Sequence, residues 1–178
     1  DWLEKAGVSL WQILPLTPNG QYNSPYFSYS AFAGNRWLID LETLQDQGLL
    51  DHPGLHPHNG DHKVPFAELP RTKLPLLLEA AANFLEQKGH VWRRSFLAFC
   101  RREVWLEDTA HFFALKEQND DAPWWEWEPA LRVRTPSAIA ASQEAQAKRI
   151  ETWKALFFFF EKHFDRPNHS PQGGSELM

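Results

Sequence analysis

The sequence predicts an α/β domain, mostly helical, with one buried strand near its start. Three observations carry this. Of 178 residues, 43% are hydrophobic, enough for a proper core in a chain of about one domain's length. The run VSLWQILPL, Val8 to Leu16, is nearly all apolar and bounded by Pro15 and Pro18, as in a parallel strand buried on both faces. From Leu76 onward the apolar residues recur at helical spacing.

Taken in order, DWLEKAG places Trp2, Leu3 and Ala6 at helical spacing with Gly7 as a stop, and reads as the last turns of a helix begun earlier. Val8–Leu16 follows as the strand. Residues 17–35 are a loop, punctuated by Pro18, Asn19-Gly20 and Pro25 and crowded with Ser, Asn and Tyr. Polar and aromatic groups at the C-terminal end of a buried parallel strand are where α/β folds build their sites. Leu38, Leu41 and Leu44 then predict a short helix or turn ending at Gly48. Prolines 53, 57, 65 and 70 interrupt 51–71 and predict a long surface connection. Helices follow over Leu76–Leu85, in the stretch 94–119 and from Pro136 to Phe164. Thr135-Pro136 supplies an N-cap and a first-turn proline for the last, whose Ile150, Trp153, Phe157, Phe160 and Phe164 step by 3, 4, 3 and 4. The polar tail, 165–178, is expected to be disordered.

Composition excludes several functions. Lys and Arg number 18 against 23 Asp and Glu, a net charge of −5. No basic field exists for phosphate backbones or anionic lipids, so neither nucleic acid nor membrane is expected as a partner. No apolar run approaches the roughly 20 residues that span a bilayer. Cys100 is the single cysteine and forms no internal disulfide; with no signal or transit segment recognised, a reducing, cytoplasmic setting is expected. Nine Trp and 14% aromatic residues exceed the needs of a core this size, and surplus aromatics often stack on flat ligand faces, sugar rings among them.

Several constellations have two readings. The loop NGQYNSPYFSYSAFAGN, Asn19 to Asn35, is either a carbohydrate platform or a loop packed by its own side chains. His52, His56, His58 and His62, flanked by Asp51 and Asp61, could ligate a transition metal, but without Cys or a rigid frame a solvated connection is favoured. PWWEWEP, Pro123 to Pro129, is a ligand shelf or, the favoured reading, a hydrophobic plug. Cys100, beside Arg101 and Arg102, reads as core. Asn168-His169-Ser170 matches a glycosylation acceptor that means nothing without secretion. The acids Glu107-Asp108, Asp120-Asp121 and Glu126/Glu128 read as solvated charge rather than a glycosidase pair. Phosphate-loop, GxGxxG, GxSxG and HExxH motifs are absent.

WQILPL (Trp11–Leu16), SPYFSYSAFAGN (Ser24–Asn35) and LIDL (Leu38–Leu41), continuing through KLPLL (Lys73–Leu77), WLED (Trp105–Asp108), ALKE (Ala114–Glu117) and APWWEW (Ala122–Trp127), resemble the amylomaltase family of 4-alpha-glucanotransferases from Asp1 to about Phe164. The resemblance implies a (β/α)8 barrel that cuts an alpha-1,4 bond in a donor glucan and passes the glycosyl unit to an acceptor with retention, needing no metal or organic cofactor. It divides the chain into an early barrel strand and substrate loop (1–50), a helical insert with a return helix (51–164) and the tail. Ser24 and Tyr26 match substrate-meeting positions, Tyr26 by stacking on the sugar beside the cleaved bond. Asn23 and Tyr22 join them as candidates, Tyr22 lying next to Gln21, where some relatives place a Tyr for a second glucan site. The family's nucleophilic Asp, acid/base Glu and stabilising Asp belong to later strands that this sequence does not reach, and a whole barrel takes about 250 residues. A fragment inactive by itself is therefore expected; the alternatives are a non-catalytic glucan-binding remnant and a truncated product without function.

Overall fold

The computed structural model describes residues 2–10, 12–20, 23–52 and 64–164. The histidines 56, 58 and 62 of the metal reading, the acceptor motif at Asn168, the tail, and Trp11, Gln21 and Tyr22 lie outside them.

Helix α1, Trp2–Lys5, ends where Gly7 takes φ +73°. The Val8 amide reaches back to Leu3 O at 2.9 Å, a helix-closing arrangement that glycine adopts without a Cβ penalty. A 3-10 turn, Arg36–Leu38, is capped by Asn35, whose side chain accepts from the Trp37 amide. Helix α2, Leu41–Asp46, starts on Asp40, whose carboxylate accepts from the Thr43 amide at 3.0 Å, and stops before Gly48 at φ +68°. The predicted 36–50 element is thus two short pieces.

Five further helices follow the connection: α3 (Leu69–Glu86), α4 (Arg93–Arg102), α5 (Leu106–Gln118), α6 (Pro129–Arg132) and α7 (Pro136–Ala145), before the closing α8 (Ala147–Phe164). Helix α3 begins inside the stretch expected to be irregular, because Pro70 sits in its first turn, where no amide partner is needed. The predicted single helix 136–164 is two, broken at Gln146. Thr135 stands at the N-cap of α7, but its hydroxyl donates to Ala130 O at 3.0 Å instead of capping.

Helix α8 packs against α5, α3 and α4, so that in its centre, between charged ends, Phe157, Phe158 and Phe159 are all buried. Phe158 is the hub. Its ring centroid lies 5.8 Å from Phe84, 5.4 Å from Phe96 and 5.7 Å from Phe99. Much of the aromatic surplus is therefore core, worth about 0.5–1.5 kcal/mol per ring pair beyond area burial. Cys100 is half-buried on α4 as expected, and burial pushes its thiol up to about 11, away from thiolate chemistry.

The expected buried strand is not formed among the described residues. Among the described residues there is no β-strand, only an isolated antiparallel bridge between Asn19 and Ser28. Leu10 is 85% exposed, and Val8, Ile13 and Leu14 are also exposed. A strand exists through ladder bonds to a neighbour and burial between layers; among the described residues no second strand lies beside this segment.

Candidate functional site

The loop after Leu16 folds back on itself. The Gly20 amide donates to Phe27 O at 2.6 Å, and a Cβ at Gly20 would sit 2.6 Å from that oxygen and 2.3 Å from the Phe27 ring; only glycine fits. Asn35 fastens the loop's two ends: its amide donates to Leu16 O at 2.9 Å and its side-chain nitrogen to Asn19 Oδ1 at 2.8 Å. Ser30 Oγ accepts from the amides of Phe32 and Ala33, and a Cβ on Gly34 would fall 1.9 Å from the Phe160 ring of α8. Self-packing and ligand binding are thus compatible, since the loop holds its shape by its own polar side chains while leaving rings outside.

The candidates separate within this loop. Tyr26 is 77% exposed, its amide donating to Ser24 Oγ at 3.3 Å, so the two occupy one turn with the ring free in solvent. Asn23, at φ +55°, lies instead on the wall of a cavity of about 620 Å³ between the loop, α5, α8 and the 123–125 turn. Neither Ser24 nor Tyr26 lines it. Tyr22 is outside the described residues.

The cavity brings together groups that the sequence reading missed. Tyr29, Phe112 and Trp124 form part of its walls, with Arg36, Lys116 and Glu117 among them. Glu117 Oε2 accepts from Arg149 Nε at 2.5 Å and from Trp153 Nε1 at 3.1 Å. Lys116 donates to Asp121 O at 2.5 Å, stands 3.3 Å from Asp121 Oδ1 and lies 4.9 Å from the Tyr29 ring centroid. The Arg36 guanidinium is sandwiched at 4.5 Å from Trp37 and 4.8 Å from Trp153, and burial lowers its pKa. Lys73 supports this floor by donating to Trp37 O at 2.8 Å. No spacing in the sequence links residues 36, 117 and 149; the i, i+4 pair Arg149 and Trp153 on one face of α8 is the only local signal.

PWWEWEP divides between its two readings. Trp127 is buried, its indole donating to Ala122 O at 3.1 Å, whereas Trp124 and Trp125 are 52% and 58% exposed at the cavity rim. Of the paired acids, Glu107 meets Lys154 and Asp108 meets Arg134. Among the described residues no cluster of His, Cys, Asp and Glu could hold a metal ion, and no helix is long and apolar enough to cross a membrane.

The family model described as 4-alpha-glucanotransferase, glycoside hydrolase 77, matches residues 1–172. The chain belongs to this family. The match runs past Phe164, where the sequence reading had ended the resemblance. A 4-alpha-glucanotransferase of Thermus thermophilus is 41% identical over 152 residues, 84% of this chain and 30% of that protein. The chloroplastic/amyloplastic 4-alpha-glucanotransferase DPE1 of Arabidopsis thaliana is 33% identical over 183 aligned positions, covering 100% of this chain and 31% of the relative. Among solved structures, an amylomaltase from Streptococcus agalactiae in complex with acarbose superposes with a TM-score of 0.79 at 32% identity, covering 86% of this chain and 32% of the other. The chain thus spans about a third of the length of these relatives.

Proposed function

We propose that this chain supplies the glucan-handling part of a 4-alpha-glucanotransferase that moves alpha-1,4-glucan segments between maltodextrins with retention, within a (β/α)8 barrel and in the cytoplasm. The observation that carries the proposal is the family match over residues 1–172, which includes the whole SPYFSYSAFAGN loop. The loop's geometry supports it. The free Tyr26 ring offers a flat apolar face to a sugar, and the Ser24 side chain of the same turn suits hydroxyls. In this reading 1–50 carries the strand and substrate loop, and 51–164 the helical insert that braces them through Gly34 and Phe160. Val8–Leu16 becomes a ladder strand only when neighbouring strands pair with it.

Chemistry is assigned elsewhere. Retaining transfer needs a nucleophile and an acid/base about 5 Å apart, and among the described residues Glu107, Asp108 and Asp121 are engaged with cations rather than paired across a groove. The chain by itself is therefore expected to bind maltodextrin without transferring it.

Titration with maltotriose, read by tryptophan fluorescence and calorimetry, tests the binding; chromatography of the same mixtures tests the chemistry. Saturable binding without released glucose supports the proposal. Glucose formed by the pure chain would refute the assignment of chemistry elsewhere, and a flat titration at millimolar sugar would remove the binding role.

A further inference from the structure

The cavity contains a charged group that the glucan reading does not use. Arg36 lines it, yet among the described residues its guanidinium makes no hydrogen bond; the nearest carboxylate, Glu117 Oε1, stands at 3.8 Å. The other Glu117 oxygen is already taken by Arg149 and Trp153. A guanidinium carries five N–H donors in a planar fork, and here the fork, on a side chain 24% exposed, lies 4.5 Å and 4.8 Å from the Trp37 and Trp153 rings. Those donors are open to an acceptor that enters the cavity.

Charge and shape define that acceptor. The cavity is lined by Arg36 and Lys116 against Glu117 and Asp121, but Glu117 is already paired with Arg149 from outside the lining, and the Asp121 side chain is 77% exposed, where water screens it. The interior is thus left electropositive. At about 620 Å³ the space falls within the usual range for small-molecule sites, roughly 300–1,000 Å³, and its indole and phenyl walls suit the apolar face of a ring.

We propose that this cavity is a site for a monosaccharide phosphate, whose phosphoryl oxygens accept from Arg36 beside Lys116 and whose ring lies against Trp37 and Trp124. Guanidinium matches phosphate bidentately, which an uncharged glucan cannot exploit. The sugar half of this assignment rests on the glucan reading; the oxyanion half does not. The site is separate from Tyr26, which does not line it.

The full 178-residue chain is titrated with glucose 6-phosphate, glucose, inorganic phosphate and benzoate, read by tryptophan fluorescence and calorimetry. Glucose 6-phosphate is expected to saturate, with each of the other probes about tenfold weaker or more, because each lacks one half of the match. Arg36→Gln should weaken glucose 6-phosphate about tenfold, and Glu117→Gln, which removes a negative charge, should tighten it. That opposite sign separates an anion site from a merely structural cluster, where both changes would weaken binding; circular dichroism confirms that each variant is folded. Equal binding of glucose or of inorganic phosphate, equal binding of benzoate, no saturation, or a Glu117→Gln variant that binds less well would each overturn the proposal. Maltotriose titrations of Tyr26→Ala run alongside. Loss of maltotriose binding from the native chain with glucose 6-phosphate retained overturns the glucan reading alone, and the reverse overturns the phosphate site alone.

Discussion

Residues 69–164 and residues 8–37 obey different rules. The helical part satisfies its backbone within each helix and buries an aromatic seam, Phe84, Phe96, Phe99 and Phe158, between α3, α4 and α8. The loop part has comparably apolar text, yet Leu10, Ile13, Leu14 and Phe32 lie exposed, and its order comes from a few bonds made by Asn19, Ser30 and Asn35. A helix is complete in itself, whereas an extended apolar segment is complete only beside another segment. Stability should accordingly reside in the helices and ligand contact in the loop.

The largest effect should come from the hub. Phe158→Ala removes a fully buried ring facing Phe84, Phe96 and Phe99 and is expected to cost about 3–5 kcal/mol, measured by urea unfolding. A loss below about 1 kcal/mol would mean that the seam does not hold the helices together, and the contrast between the two regions would fail.

The same contrast explains what was legible in the sequence. Helices α3, α4, α5 and α8 could be read because apolar spacing acts within a few residues, as the stop at Gly48 does for α2, whereas Pro70, read as an interruption, opens α3. The Val8–Leu16 strand is not formed among the described residues, because its burial depends on neighbours that periodicity does not report. The break at Gln146 carries no proline or glycine. Ser24 and Tyr26 are candidates through resemblance alone, while the Arg36 and Glu117 cavity has no signal in the sequence: its charged groups come from three segments whose meeting is a product of packing.

Next in size is Gly20→Ala. The new methyl would collide with Phe27 O, a backbone atom that cannot rotate away, and so break the Gly20–Phe27 hydrogen bond and the Asn19–Ser28 bridge. Overpacking of this kind costs about 1–3 kcal/mol. The cost should appear as faster amide exchange over residues 17–30 with little change for α8. Equal loss of protection in both regions would show that loop and helices unfold as one unit.

Within the helical part a smaller, pH-dependent effect is expected at His111, which is 2% exposed on α5 and hydrogen-bonded through Nε2 to Ser142 Oγ of α7. Burial, reinforced by Arg134, lowers its pKa below the ordinary 6.5, against the opposing pull of Asp108 and Glu107. The unfolded chain therefore binds a proton that the folded chain resists. The stabilisation is present above pH 6.5 and is lost as pH falls through the folded value. Ser142→Ala should cost about 1 kcal/mol at pH 8, and His111→Gln should flatten the stability profile below pH 6.5. A profile unchanged by His111→Gln would assign the acid sensitivity to other groups.

The smallest change in stability and the sharpest division between the regions should come from Tyr26→Ala. The side chain is 77% exposed, so its removal should alter unfolding free energy by no more than about 0.5 kcal/mol. If the ring stacks on sugar, maltotriose binding should nevertheless fall by about 1–3 kcal/mol, the value of one aromatic anchor in a ligand contact. Tyr26→Phe separates the two parts of that contact, since it retains the apolar face and deletes only the hydroxyl; binding close to that of the native chain assigns the contact to stacking. A Tyr26→Ala chain that binds maltotriose unchanged would move the glucan contact off the exposed turn altogether, because Ser24 shares that turn but offers no ring face of its own.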